Sequence, residues 1–158
     1  MKFNKIEVVL LIHNIYYKKS IDTVKHWMNK YIEELLLPKL GNQGFKVKFL
    51  GVRHDLPEQT EQGILVINYN ETKGRGYGSS AFSYPMYWGV DISCELRLIH
   101  PVTGTVIWQD QFMGVNSSKV SSYKGLHIDA LENLEDGFNN IDINLNKWRR
   151  NTTYKKLR

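Results

Sequence analysis

The sequence has one cysteine, Cys94, in 158 residues. That excludes an intrachain disulfide and any metal site built on paired thiolates. It also fits a reducing compartment. No apolar run approaches the roughly 20 residues of a membrane span. The nearest, Ile6–Ile12, is interrupted by Glu7 and followed by His13, Asn14 and the pair Lys18-Lys19. No small-residue cleavage site follows it, so a buried strand is expected there rather than a secretory leader. The location expected from the sequence as it stands is the cytoplasm, or the periplasm and envelope if a leader was removed. Prolines are few, and acids are missing altogether after residue 146. Lys147, Arg149, Arg150, Lys155, Lys156 and Arg158 stand in that stretch, against a net charge of +5 for the whole chain. The remainder is thus nearly neutral, and the basic character belongs to the C-terminal end.

With 42% hydrophobic and 23% charged residues, the composition suits a folded domain with its own core. Lys5–Ile12 reads as a strand buried on both faces. Ser20 is a candidate N-cap. After it, Val24, Trp27, Met28, Tyr31, Ile32, Leu35 and Leu36 form a helical stripe that Pro38 and Gly41 are expected to end. Phe45–Phe49 alternates, and Ile64–Ile67 is apolar on both faces, as in a central strand. Val90, Ile92, Cys94, Leu96 and Leu98 form the inner face of a long strand that starts at Trp88. Thr105–Phe112 returns after a turn at His100-Pro101-Val102-Thr103-Gly104, with Val106, Trp108 and Phe112 expected on one face. Ala130, Leu131, Leu134, Phe138, Ile141, Leu145 and Trp148 predict a second amphipathic helix. The fold class expected is α+β, a two-layer sandwich. Its sheet has about five strands, mostly antiparallel or mixed, with two helices on one face in the order β-α-β-β-β-β-α. A single domain is expected over 1–148 and a basic tail over 149–158.

Catalytic chemistry is not written in the pattern. His13, His26, His54, His100 and His127 show no close zinc-type spacing. No serine has a nucleophile-elbow context, and Cys94 sits at an inward strand position, where thiols are inert packing. Glu132, Glu135 and Asp136 read as a solvated helix face. Gly74-Arg75-Gly76-Tyr77-Gly78 lacks the following helix that a phosphate loop needs, so residues 71–86 are expected to form a loop. That loop gathers Arg75, Tyr77, Phe82, Tyr84, Met86, Tyr87 and Trp88, the residue types that anchor interfaces. These seven are the candidate partner-binding residues, and a strand beside the loop is a candidate sheet edge. No catalytic residue, metal or cofactor is called for.

The segment Leu96–Trp108, with Asn68-Tyr69 on an earlier strand, resembles a pattern in small bacterial envelope proteins. These are the lipoproteins that assist ABC transporters, the lipoprotein activators of penicillin-binding proteins, and the N-terminal domain of the Tol-system propeller protein. In them a turn of the type Asp-x-x-Thr-Gly precedes a strand carrying Trp. Here His100 stands in place of the acid, and no lipobox cysteine is present. The resemblance implies a turn that needs positive φ at Gly104, a Trp108 that packs under a helix, and protein binding rather than turnover.

The leading expectation is a non-catalytic protein-interaction module, with a protein partner or self-association. One alternative is a small enzyme with a site assembled from loops near residues 53–58 and 73–78, using His54, Asp55, Arg75 and Tyr77. Another is nucleic-acid or anionic-surface binding through the basic tail.

Overall fold

The computed structural model describes residues 2–58, 61–77, 87–115 and 123–150, with backbone alone at 75–77, 87, 88, 123, 124 and 126. Strand β1 (Lys5–Asn14) leads to helix α1 (Ile21–Tyr31), a π turn over Ile32–Leu36, and α2 (Leu37–Asn42). Then come β2 (Lys46–Arg53), β3 (Gly63–Tyr77), β4 (Tyr87–Ile99), β5 (Val106–Gly114), α3 (Tyr123–Glu132) and α4 (Leu134–Asn140). The strands make one sheet in the order β2-β1-β3-β4-β5. β1 runs parallel to β2 and β3, while β3–β4 and β4–β5 are antiparallel. The sheet is therefore mixed, and the molecule is the α+β sandwich that its hydrophobic pattern implies.

Alternation along the strands sorts the two faces. Val8 and Leu10 of β1, Leu65 and Ile67 of β3, and Val90 to Leu98 at alternate positions of β4 meet the helices. Val24, Met28, Tyr31, Ile32, Leu36 and Leu40 supply one helical side of that core, and Ala130, Leu131, Leu134 and Phe138 the other. Each such aliphatic or aromatic side chain contributes about 1.5–3 kcal/mol by leaving water. Val9, Leu11, Ile64 and Val66 point the other way and form a second, smaller cluster. Leu50 and Ile99 pack against this second cluster.

Four local expectations need correction. Pro38 does not end the first helix. The π turn shifts the hydrogen-bond frame so that Pro38 falls in the first turn of α2, where a missing N–H is harmless. The helix stops instead at Gly44, whose φ of 93° only glycine adopts easily. The second helix breaks at Asn133 and ends at Asn140, and Trp148 is not on it. From there Ile141, Ile143 and Leu145 are buried at alternate positions of an extended segment. Lys39 Nζ donates to the Ile141 carbonyl at 3.0 Å and Gln43 Oε1 accepts from the Leu145 N–H at 2.7 Å. The end of α2 thus holds this segment extended, and tertiary contacts override its helical spacing. In β5, register slips between Leu98↔Trp108 and Ile99↔Val106. This bulge turns Val106 out to 45% exposure while Ile107 packs against the core. Finally, residues 71–77 are strand, not loop, because they pair with β4 as far as Tyr77↔Tyr87.

Candidate functional site

The hairpin turn is built as its residues require. Gly104 has φ 71°. The His100 N–H donates to the Thr105 carbonyl at 2.8 Å, and the Gly104 N–H to the His100 carbonyl at 3.0 Å. His100 Nδ1 accepts from the backbone N–H groups of Val102 and Thr103 at 3.2 and 3.3 Å. The ring proton therefore lies on Nε2. His100 does what an aspartate does at such a turn, gathering backbone donors onto a side-chain acceptor. Its ring is buried, edge-on to Phe3 and Trp148. Trp108 lies opposite Leu98 and packs against the main core. The hairpin is structural chemistry throughout.

Past the hairpin, β3 and β4 outrun their neighbours. β1 pairs with β3 only to Asn14↔Asn70, and β5 pairs with β4 only from Ile92↔Gly114. Glu71–Tyr77 and Tyr87–Asp91 therefore form a two-stranded ribbon beyond the sheet body. The register slips between Lys73 and Gly76. A Cβ on Gly74 would sit 2.8 Å from Asp91 Oδ1, so the glycines serve a bulge and a close approach. Of the seven candidate partner-binding residues, Arg75, Tyr77, Tyr87 and Trp88 lie on the backbone of this ribbon. Phe82, Tyr84 and Met86 lie outside the described residues. Within the sheet body β3 and β4 are both internal, so the true edges are β2 and β5.

At the root of the ribbon stands a buried polar network that the sequence reading missed. Glu71 is fully buried, Tyr69 likewise, and His127 of α3 is 2% exposed. Glu71 Oε1 accepts from the Tyr16 N–H at 2.9 Å. Its Oε2 accepts from the Tyr69 hydroxyl and lies 2.8 Å from His127 Nε2. The Asn14 side-chain amide donates to the Glu71 carbonyl at 2.7 Å. Glu71 and His127 are 56 residues apart, so no spacing rule could have linked them. A carboxylate, an imidazole and a phenol in contact suit acid–base work in an open cleft. Here all three side chains are buried, and their hydrogen bonds link β3 to α3 and to the turn after β1.

Burial pushes the Tyr69 hydroxyl far above the ordinary phenol range, and the Glu71 carboxylate and its hydrogen bond push further, with a smaller push from Cys94. Burial also raises Tyr31, helped by the carboxylates of Glu135 and Glu132. It raises the Cys94 thiol as well, which is inert packing. All three keep their protons in the fold where the unfolded chain releases them. Stability should therefore be unaffected by these groups below about pH 8.5, the ordinary thiol value. It should fall as pH rises past about 10, by about 1.4 kcal/mol per pH unit for each tyrosine. Urea unfolding midpoints measured from pH 7 to 11 will show this. Tyr69→Phe and Tyr31→Phe should each remove one tyrosine's share of the slope, whereas flat stability to pH 11 would contradict it.

The basic residues divide. Arg149 bridges to Phe3, and its guanidinium donates to the Gln43 carbonyl at 2.8 Å. The Arg150 N–H donates to the Phe3 carbonyl at 3.1 Å. Lys147 Nζ sits over the Trp148 ring at 5.5 Å. These three are held against the fold. Lys155, Lys156 and Arg158 lie outside the described residues. His54 and Asp55 are exposed. His54 lines a cavity of about 590 Å³ together with residues of β1, β2 and α1. Among the described residues no three His, Cys, Asp or Glu cluster as metal ligands, and no helix is long and apolar enough to cross a membrane.

No protein-family model matches the chain, and no curated protein matches it. Solved structures do. The chain is similar to the PelC dodecamer from Paraburkholderia phytofirmans, at 11% identity and TM-score 0.43, covering 94% of this chain and 89% of that one. It is similar to lipoprotein GNA1162 from Neisseria meningitidis, at 13% identity and TM-score 0.43, covering 84% and 93%. A DUF330-family protein from Xanthomonas campestris is similar at 9% identity and TM-score 0.41, covering 88% and 81%. At these identities and scores the likeness does not extend to function.

Proposed function

We propose that this chain is a non-catalytic protein-interaction module, of the kind that serves as a component of a bacterial envelope or secretion assembly. The observation that carries the reading is the contrast between the two sheet edges. The β2 edge has Lys46, Lys48 and Arg53, and Gly51 at φ 80° sits where the β1–β2 register breaks. Charges and bulges of this kind keep an edge from pairing. The β5 edge has no lysine or arginine and a single acid, Asp110. Met113 on β5, Val106 at its start and Val115 just after it are about half exposed. An edge of nine residues with one charge, to which no strand pairs among the described residues, is suited to accept an added strand. The aromatic residues on and between the ribbon strands, Tyr77 to Trp88 with Arg75, provide a second contact surface in this reading. The hairpin resemblance supports the envelope setting.

The simplest occupant of the edge is the β5 strand of a second copy. An antiparallel pair about Gln111 sets residue 109 of one copy opposite residue 113 of the other. Sedimentation velocity over a concentration series should show a monomer passing to a dimer. Combining Gln109→Lys with Met113→Lys places like charges opposite one another and should weaken association by about tenfold or more. A monomer at every concentration, or turnover of a substrate lost on changing one residue, would overturn the reading.

A further inference from the structure

The cavity at the carboxyl ends of the parallel strands differs in character from the rest of the surface. It is lined by Ile12, His13, Asn14 and Ile15 from β1 and the turn after it, and by Lys18, Ile21 and Lys25 at the start of α1. Val52, Arg53 and His54 complete it from the end of β2. Three permanent cations and two histidines line it, with no carboxylate among the lining residues. Lys18 and Lys25 come from the approach to α1 and its first turns, Arg53 from the last residue of β2. The topology, not the sequence, brings them together.

None of the three cations is in an ion pair or hydrogen bond with any described residue. Some cations elsewhere do have partners. Arg97 pairs with Glu95 at 2.7 Å, Arg149 with the Gln43 carbonyl, and Lys39 with helix-end carbonyls. His13 is oriented as well. Asn68 Oδ1, which can only accept, lies 2.6 Å from His13 Nε2, so that nitrogen carries a proton. Ile12, Ile15, Ile21 and Val52 make the apolar walls. A volume of about 590 Å³ is that of a small-molecule site, and open sheets with parallel strands hold ligands at this end. Cations that have no ion pair among the described residues, set on a concave and partly apolar wall, concentrate anions.

We infer that this cleft binds a phosphate-bearing ligand, with Lys18, Lys25 and Arg53 holding the anionic oxygens and the isoleucines accepting the attached group. The site is separate from the β5 edge, and neither depends on the other.

The test uses the intact chain and two sources of the same chemistry. In one arm, inorganic pyrophosphate is titrated and backbone amide shifts are followed by NMR. In the other, binding to vesicles of phosphatidylglycerol in phosphatidylcholine is measured by co-sedimentation, against phosphatidylcholine alone. The expected result is saturable binding in at least one arm, with shifts centred on residues 13–25 and 52–54. Lys25→Gln and Arg53→Gln should each weaken it by about tenfold, as loss of a charge-assisted contact does. Lys46→Gln changes the net charge equally on the exposed β2 edge and should leave binding unchanged. Saturation by pyrophosphate assigns a soluble phosphate compound, and binding to charged vesicles alone assigns a lipid headgroup. No binding in either arm overturns the inference. So does equal weakening by Lys46→Gln, which would show only a response to net charge. All three variants alter surface positions, and unchanged circular dichroism will show that they are folded.

Discussion

Replacing Glu71 with alanine is expected to cost about 3–5 kcal/mol of folding stability, because it breaks a buried hydrogen-bond network from one side and strands its donors. The carboxylate is fully buried and serves three donors: the Tyr16 N–H, the Tyr69 hydroxyl and His127. Without it each is left buried with no acceptor. Glu71→Gln keeps the shape and one acceptor oxygen but turns an amide N–H toward another donor, so an intermediate loss of about 1–2 kcal/mol is expected. Combining Glu71→Leu with His127→Leu removes acceptor and donor together and should recover part of the loss. Urea unfolding followed by circular dichroism checks the series. A loss below about 1 kcal/mol in Glu71→Ala would mean that the network contributes little.

The second large effect comes from a residue with no side chain. Gly114 ends β5 where α3 crosses it, and a Cβ there would sit 2.3 Å from the Ala130 carbonyl oxygen and 2.9 Å from the Leu134 side chain. The first obstacle is helix backbone, which cannot rotate away. Gly114→Ala must therefore lift α3 from the sheet, an overpacking expected to cost about 2–3 kcal/mol. Gly137→Ala makes a useful comparison. Its Cβ would meet the Phe112 ring at 2.1 Å, a side chain on the edge strand rather than helix backbone. Alanine also favours the helix by about 1 kcal/mol over glycine. Its net effect should be clearly smaller, and thermal unfolding of the two variants side by side will show whether α3 packs as tightly as the distances state.

Both residues illustrate what the sequence could and could not reveal. The alternation of Val90, Ile92, Cys94, Leu96 and Leu98 marked their shared face, and all five are fully buried. The stripe from Val24 to Leu36 marked the first helix for the same reason: one face of a regular element meets one core. The turn at His100–Gly104 was legible because glycine at positive φ is a local requirement. Signals that depend on distant partners were not legible. The strand 71–77 looks like a glycine-rich loop until β4 lies beside it. Ile141–Leu145 has helical spacing but is held extended by Lys39 and Gln43. Glu71 and His127 carry no mark of their pairing, and the cations of the cleft, from Lys18 to Arg53, converge only because β2 runs parallel to β1. Of the proposed contact residues, Arg75, Tyr77, Tyr87 and Trp88 fall on a paired ribbon rather than an open loop.

Addition of a strand to the β5 edge is tested most directly by amide hydrogen exchange along Val106–Gly114 in dilute and concentrated protein. Alternate amides of β5 should gain protection on concentration, β2 amides should not, and Gln109→Lys with Met113→Lys should abolish the gain. Unchanged β5 exchange while the protein associates through another surface would contradict it.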